Sequence, residues 1–167
     1  MTSTVRYFGY GANKNPEMME AMVGCVPMGV PAVLEDFELC IQEWFQIPAA
    51  VRDILFRCGW DPSFKTYCAR SAKGKQVNGT LWILTPEEHA LVGNWEMHGQ
   101  WFHSISVSVK DEAGKKYAAV TEVMLGEGMT PALECYGPAL PPFPVDKQKI
   151  FQVASKVRME FLKQRLR

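Results

Sequence analysis

The residues best suited to chemistry stand near the start of the chain, where Tyr7-Phe8-Gly9-Tyr10-Gly11-Ala12-Asn13 carries a short apolar strand into a glycine turn that opens a helix. The helix signals are explicit: Asn15 suits the N-cap, Pro16 the first helical position, Glu17 the positive end of the helix dipole, and Gly24 the stop. Backbone N–H groups at Gly11 to Asn13 are then expected to face outward, where they can hold a carboxylate, a phosphate or a developing oxyanion. A strand–turn–helix start with nothing bound accounts for the same residues, so this turn becomes a site only in company with other groups.

The remaining reactive side chains give weaker signals. Cys25, Cys40, Cys58, Cys68 and Cys135 form an odd set with no Cys-x-x-Cys pair, which favours reduced thiols packed as small apolar residues over a disulfide framework or a nucleophile. His98 and His103 share a short segment and are candidate bases, but neither they nor His89 pair with a cysteine at zinc-ligand spacing, so no metal is expected. Gly9-x-Gly11 suggests a dinucleotide loop until Lys14 takes the place of the third glycine, and NAD binding is rejected.

Composition narrows the partner. Lys and Arg balance Asp and Glu at 18 each, and no run of basic residues exceeds two, so the electrostatic footprint of a nucleic-acid or anionic-membrane binder is missing. The five tryptophans, Trp44, Trp60, Trp82, Trp95 and Trp101, therefore read as core or pocket walls, not as base-stacking platforms. No signal peptide or long apolar span stands out. A single cytoplasmic domain over residues 1–167, acting on a small molecule, is the expectation; its oligomeric state is not legible.

Several elements must position the opening turn. Alternation from Phe37 to Ile41 indicates a half-buried strand, Ala49 to Arg57 allows a helix after Pro48, and Cys58 to Pro62 is turn-like. Phe64 to Ala69 and Gly79 to Leu84 read as extended, separated by an exposed turn at Lys73-Gly74-Lys75. Thr85-Pro86-Glu87-Glu88 is a capping box, so a helix starts there, carries Ala90, Leu91 and Trp95 inward, and runs out near Gly93 to Glu96. Ile105, Val107 and Val109 alternate with serines, a turn follows at Asp111 to Lys115, and Tyr117 to Leu125 completes a hairpin. Pro138 to Pro144 is expected to wrap the surface as an extended connection, and from Asp146 the chain is helical with basic residues in its last turn.

Two stretches in order, Tyr10-Gly11-Ala12-Asn13 and Val77-Asn78-Gly79-Thr80-Leu81-Trp82-Ile83-Leu84-Thr85-Pro86-Glu87-Glu88 with Asn94-Trp95-Glu96 behind it, resemble the gamma-glutamylcyclotransferase-like family, which includes the plant avirulence-induced-protein type. The family pattern is Tyr-Gly-Ser-Asn, a Val-x-Gly-x-Leu-Tyr strand, a Leu-Thr-x-Glu-Glu helix start and a Leu-Asp-x-Tyr-Glu-Gly segment whose glutamate is catalytic. The likeness covers roughly residues 5–125. It implies an α+β fold, a mixed barrel-like sheet flanked by a few helices with a helix at the C-terminus, and a cofactor-independent site. Carried over by position, Tyr10, Gly11, Ala12 and Asn13 fall on the substrate-binding loop and Glu96 on the acid/base. Ala12 stands for the usual serine, Gly93 for the aspartate and Met97 for the glycine, and Trp101 or Phe102 sits where an aromatic hydroxyl is common.

The implied reaction turns a gamma-glutamyl amine or amide into 5-oxoproline and a free amine. The substrate's α-amine attacks its own side-chain carbonyl, so one group must accept a proton, an oxyanion must be stabilised, and the departing amine must be protonated. Glu96, at a helix C-terminus between Trp95 and Met97, meets both desolvation and the negative dipole end, each of which raises a carboxyl pKa toward neutrality. A second reading keeps the same fold as a non-catalytic binder of a small metabolite or peptide end, and turnover of gamma-glutamyl amines separates the two.

Overall fold

The computed structural model describes residues 3–124, 134–136 and 147–166. Strand β1 (Val5–Gly9) leads through a 3-10 turn (Gly11–Lys14) into helix α1 (Pro16–Val23), and β2 (Met28–Glu43) follows. A second 3-10 turn (Trp44–Gln46) and helix α2 (Ala49–Arg57) connect β2 to β3 (Lys65–Leu84). Helix α3 (Pro86–Trp95), the hairpin of β4 (Phe102–Asp111) and β5 (Lys116–Met124), a short β6 (Glu134–Tyr136) and helix α4 (Lys147–Arg165) complete the order. The Pro138 to Pro144 expectation lies outside the described residues.

The strands run in the order β3-β1-β5-β4-β2-β6, and a further β3–β2 pairing closes the first five into a barrel. Closure removes the unpaired edges that an open sheet exposes. The sheet is mixed: β1 pairs β5 in parallel and β3 antiparallel, while β4–β5, β2–β3, β2–β4 and β2–β6 are antiparallel. The α+β, barrel-like expectation with a terminal helix is met.

The expected turn at Lys73-Gly74-Lys75 is corrected. It is a bulge inside one strand, because β2 and β3 pair on both sides of it, from Met28↔Ile83 to Glu43↔Lys65, with the register shifting between Glu35 and Phe37. Asp36 takes φ 59° and its Oδ1 accepts the Gly74 N–H at 2.8 Å, Gly74 itself sitting at φ 78°. The turn chemistry is real, but it bends a continuous ladder around the barrel and does not reverse the chain.

Strand alternation sorts β1 between two cores. Phe8 points into the barrel with Leu34, Val77, Leu81 and Val109. Tyr7 points outward and packs with Trp82 and Leu84 against Met18, Met19 and Met22 of α1, Val92 of α3 and Ala154 of α4. A third cluster caps one end: Val51 and Leu55 of α2 with Trp60, Trp101, Phe102 and Val153. No helix among the described residues is long and apolar enough to cross a membrane.

The local signals of α1 and α3 hold. Asn15 Oδ1 accepts the Glu17 N–H at 2.8 Å, and Gly24 ends α1 at φ 91°. Thr85 Oγ1 accepts the Glu88 N–H at 3.2 Å while Glu88 Oε2 accepts that of Thr85 at 2.7 Å. Gly9 has a tighter duty, since a Cβ there would lie 2.3 Å from the Asn13 carbonyl oxygen, which also accepts the Trp82 indole N–H at 2.8 Å. Gly9→Ala is expected to cost roughly 1–3 kcal/mol by overpacking and to push Asn13 out of place; urea unfolding and the Asn13 side-chain amide NMR signals check both.

Candidate active site

The end of α3 fixes the site. Glu96 is the C-cap, and the chain then folds back in a Schellman motif: the His98 N–H reaches the Gly93 carbonyl at 3.0 Å and the Met97 N–H reaches that of Asn94 at 3.3 Å. Met97 takes the left-handed position at φ 48°, the place where the resembling pattern has glycine. The left-handed backbone is therefore kept although the residue has changed, at about 1–2 kcal/mol for a residue with a Cβ, and Met97 packs into the apolar end cluster.

This fold-back carries the Glu96 carboxyl to the opening turn. Asn13 Nδ2 donates to Glu96 Oε1 at 2.5 Å and to the Tyr7 hydroxyl at 2.8 Å, using both amide hydrogens. Asn13 is 6 % exposed, and Trp82 pins its main-chain carbonyl, so the residue is anchored through its backbone as well as through its side-chain amide. By residue area Glu96 is half-buried, but its carboxyl is enclosed by protein, and those surroundings govern its ionisation. Desolvation, followed by repulsion from Glu122, pushes its pKa up to about 7; the Asn13 hydrogen bond and His98 oppose the rise.

The turn itself needs a correction at the level of atoms. The Asn13 N–H is engaged by the Tyr10 carbonyl at 3.1 Å. In a 3-10 turn the N–H groups ahead of that first bond have no internal acceptor, so Gly11 and Ala12 supply the outward donors, and Asn13 contributes its side chain instead. Tyr10 is 8 % exposed, and its hydroxyl is committed to the barrel: it donates to the Glu122 carbonyl at 2.6 Å and accepts the Ala69 N–H at 3.1 Å.

Sequence reasoning missed Glu122 and Tyr7. Glu122 lies in β5, its side chain 3 % exposed, and Oε2 forms an ion pair with His98 Nε2, while Oε1 has no hydrogen-bond partner among the described residues. The pair with Glu122 raises the His98 pKa. The His98 ring lies so close to α3 that a Cβ on Gly93 would come within 2.6 Å of its Nδ1. Gly93, which departs from the resembling pattern, thus makes room for a histidine. His89 sits beside both Tyr7 and His98, with ring centroids 6.0 Å and 6.5 Å away, and burial lowers its pKa. Burial, then Glu96 and Glu122, raises that of Tyr7. The one sequence signal for Glu122 is a carboxylate inside the otherwise uncharged run Val120-Thr121-Glu122-Val123-Met124.

A cavity of about 930 Å³ joins these groups, lined by Tyr7, Tyr10, Gly11, Ala12, Asn13, His89, Glu96, His98 and Glu122 together with a large apolar wall. His103, Cys25, Cys40 and Cys68 are not among its described lining residues. The arrangement offers a carboxyl able to take and return a proton near neutrality, beside two peptide N–H groups that have no acceptor within the turn and a second buried carboxylate.

No protein-family profile matches the chain, and no curated protein matches it in sequence. Solved structures do match. A solution structure from Arabidopsis thaliana aligns at 16 % identity over 96 % of this chain and 87 % of its own, with a TM-score of 0.56. An uncharacterized Homo sapiens protein aligns at 18 % identity over 96 % and 85 %, with a TM-score of 0.58. A gamma-glutamyl cyclotransferase aligns at 18 % identity over 97 % and 86 %, with a TM-score of 0.60. At these identities the likeness is one of architecture, and the chain has the gamma-glutamyl cyclotransferase fold.

Proposed function

We propose that this protein is a cyclotransferase that converts a gamma-glutamyl amine or amide into 5-oxoproline and a free amine, with Glu96 as its acid/base. The observation that carries the reading is the enclosed Glu96 carboxyl, held by Asn13 on a cavity also lined by Gly11 and Ala12. In the reaction the substrate's α-nitrogen attacks its δ-carbonyl carbon while Glu96 accepts the proton that the nitrogen sheds. The Gly11 and Ala12 N–H groups donate to the substrate's oxygens, the reacting one among them. Collapse breaks the bond to the amine, which leaves with the proton returned by Glu96. Bonds and protons balance with no water consumed and no electron transferred, so a carboxyl near pH 7 suffices.

Ala12 supplies no side-chain donor, which concentrates substrate binding on backbone amides and on the groups around Glu96. The test is a panel of gamma-glutamyl amides incubated with the purified protein, with 5-oxoproline and free amine quantified together. Equal amounts of the two products are expected from at least one amide. Saturable binding without product across the panel would favour the non-catalytic binding reading.

A further inference from the structure

The cavity is chemically lopsided, and the imbalance bears on the amine that departs. At its reacting end stand the carboxyls of Glu96 and Glu122. The basic side chains among the described lining residues, besides His89 and His98, are Lys14 and Lys65. Lys14 is exposed, and Lys65 is ion-paired to Glu43 at 2.9 Å with 39 % of its side chain in solvent. No arginine is among these lining residues. A carboxylate or sulfonate on the leaving group would give up its hydration without a buried cation to replace it, facing two buried acids.

Asn15, Thr66, Asn94 and Gln100 add polar groups to the rest of the wall, but most of it is apolar and comes from elements far apart in sequence. Leu55 of α2, Trp60 and Phe64 behind it, and Val153, Val157 and Phe161 of α4 line the same cavity. Trp60 and Phe64 pack with their rings tilted, 4.7 Å between centroids. Even the indole N–H of Trp101 is turned to Gln42 Oε1 at 3.0 Å, so it presents hydrocarbon instead of a donor. A second ammonium lying along this apolar part of the wall would give up its hydration with no acceptor among Leu55, Trp60, Phe64, Val153, Val157 and Phe161 to replace it. At about 930 Å³ the cavity is also far roomier than a gamma-glutamyl unit requires, and falls in the range of sites that enclose a drug-sized ligand.

We infer that the leaving group is an apolar monoamine, alkyl or arylalkyl, whose uncharged tail lies along the wall formed by Leu55, Trp60, Phe64, Val153, Val157 and Phe161. This rests on the cyclotransferase reading and names its substrate class. Burial of the tail supplies affinity, and the missing cation supplies rejection of amino-acid and peptide leaving groups.

The experiment compares gamma-glutamyl-n-hexylamide, gamma-glutamylethylamide, gamma-glutamylglycine and mono-gamma-glutamyl-1,4-diaminobutane on the full chain. Two readouts are taken: kcat/KM for 5-oxoproline release by the wild type, and Kd by calorimetry on Glu96→Gln. The hexylamide is expected to exceed the ethylamide by roughly tenfold to a hundredfold in both, and to exceed the glycine and diaminobutane compounds by at least as much. Parity of gamma-glutamylglycine or the diaminobutane compound with the hexylamide overturns the apolar tail while leaving the cyclotransferase reading in place. Hexylamide-selective binding with no 5-oxoproline from any amide does the reverse, and failure of all four to bind overturns both. Phe64→Arg, at a half-buried position, should shift the affinity ratio at least tenfold toward gamma-glutamylglycine; an unchanged ratio would also overturn the tail's path.

Discussion

Glu96→Gln is expected to lower gamma-glutamyl turnover by roughly 10²–10⁴-fold, the usual worth of a positioned general base, while ligand affinity stays within a few-fold. Glutamine keeps the length of the side chain and an oxygen that can accept from Asn13 Nδ2, so the hydrogen bond from Asn13 and the position of Tyr7 behind it survive the change. What disappears is the capacity to take a proton from the α-amine and return it to the leaving amine. His98→Asn should do much less, because His98 pairs with Glu122 and acts on Glu96 only through charge. Parallel kcat and Kd measurements on the hexylamide check the pair, and a near wild-type rate for Glu96→Gln would remove its catalytic role.

The same substitution should stabilise the protein at alkaline pH, and the sign follows from proton linkage. The folded chain holds the Glu96 proton up to about pH 7, whereas an unfolded glutamate releases it near pH 4.3. Folding is therefore undisturbed below the unfolded value, and a penalty grows as pH rises toward the folded value, levelling above it. At about 1.4 kcal/mol per unit, over roughly 2.7 units, the plateau is at most about 4 kcal/mol. His98, raised by its pairing with Glu122, adds stability at low pH that is likewise lost as pH climbs through its folded value. Glu96→Gln removes the first of these effects and, of the second, only the smaller part that comes from the Glu96 charge. Urea unfolding of wild type and variant should coincide near pH 4.5 and separate in the variant's favour by pH 8. Coincidence at both pH values would contradict the linkage.

Much of the scaffold was legible because its signals are local. The Asn15 cap, the Thr85–Glu88 capping box and the β4–β5 hairpin each depend on residues a few positions apart, so type and spacing suffice to find them. The β2–β3 ladder is different: its partners are separated by α2, and a Lys-Gly-Lys bulge uses the same positive-φ chemistry as a reversal. Nothing local distinguishes the two. The site divides in the same way. Glu96 and the opening turn were reached through an ordered resemblance, but the atoms that matter were not, since Asn13 acts through its side chain across 83 residues of sequence. Tyr7 reads simply as an apolar strand residue, and the pairing of Glu122 with His98 depends on a strand and a helix end meeting in space.

The account stands or falls on the state of one carboxyl, and carbon-detected NMR titration of the Glu96 side chain reads it without need of a substrate. A midpoint near 7, lifted chiefly by burial and secondarily by Glu122, is the predicted result. A midpoint at or below about 4.3, the value of an unperturbed glutamate, would contradict a buried acid/base at this position.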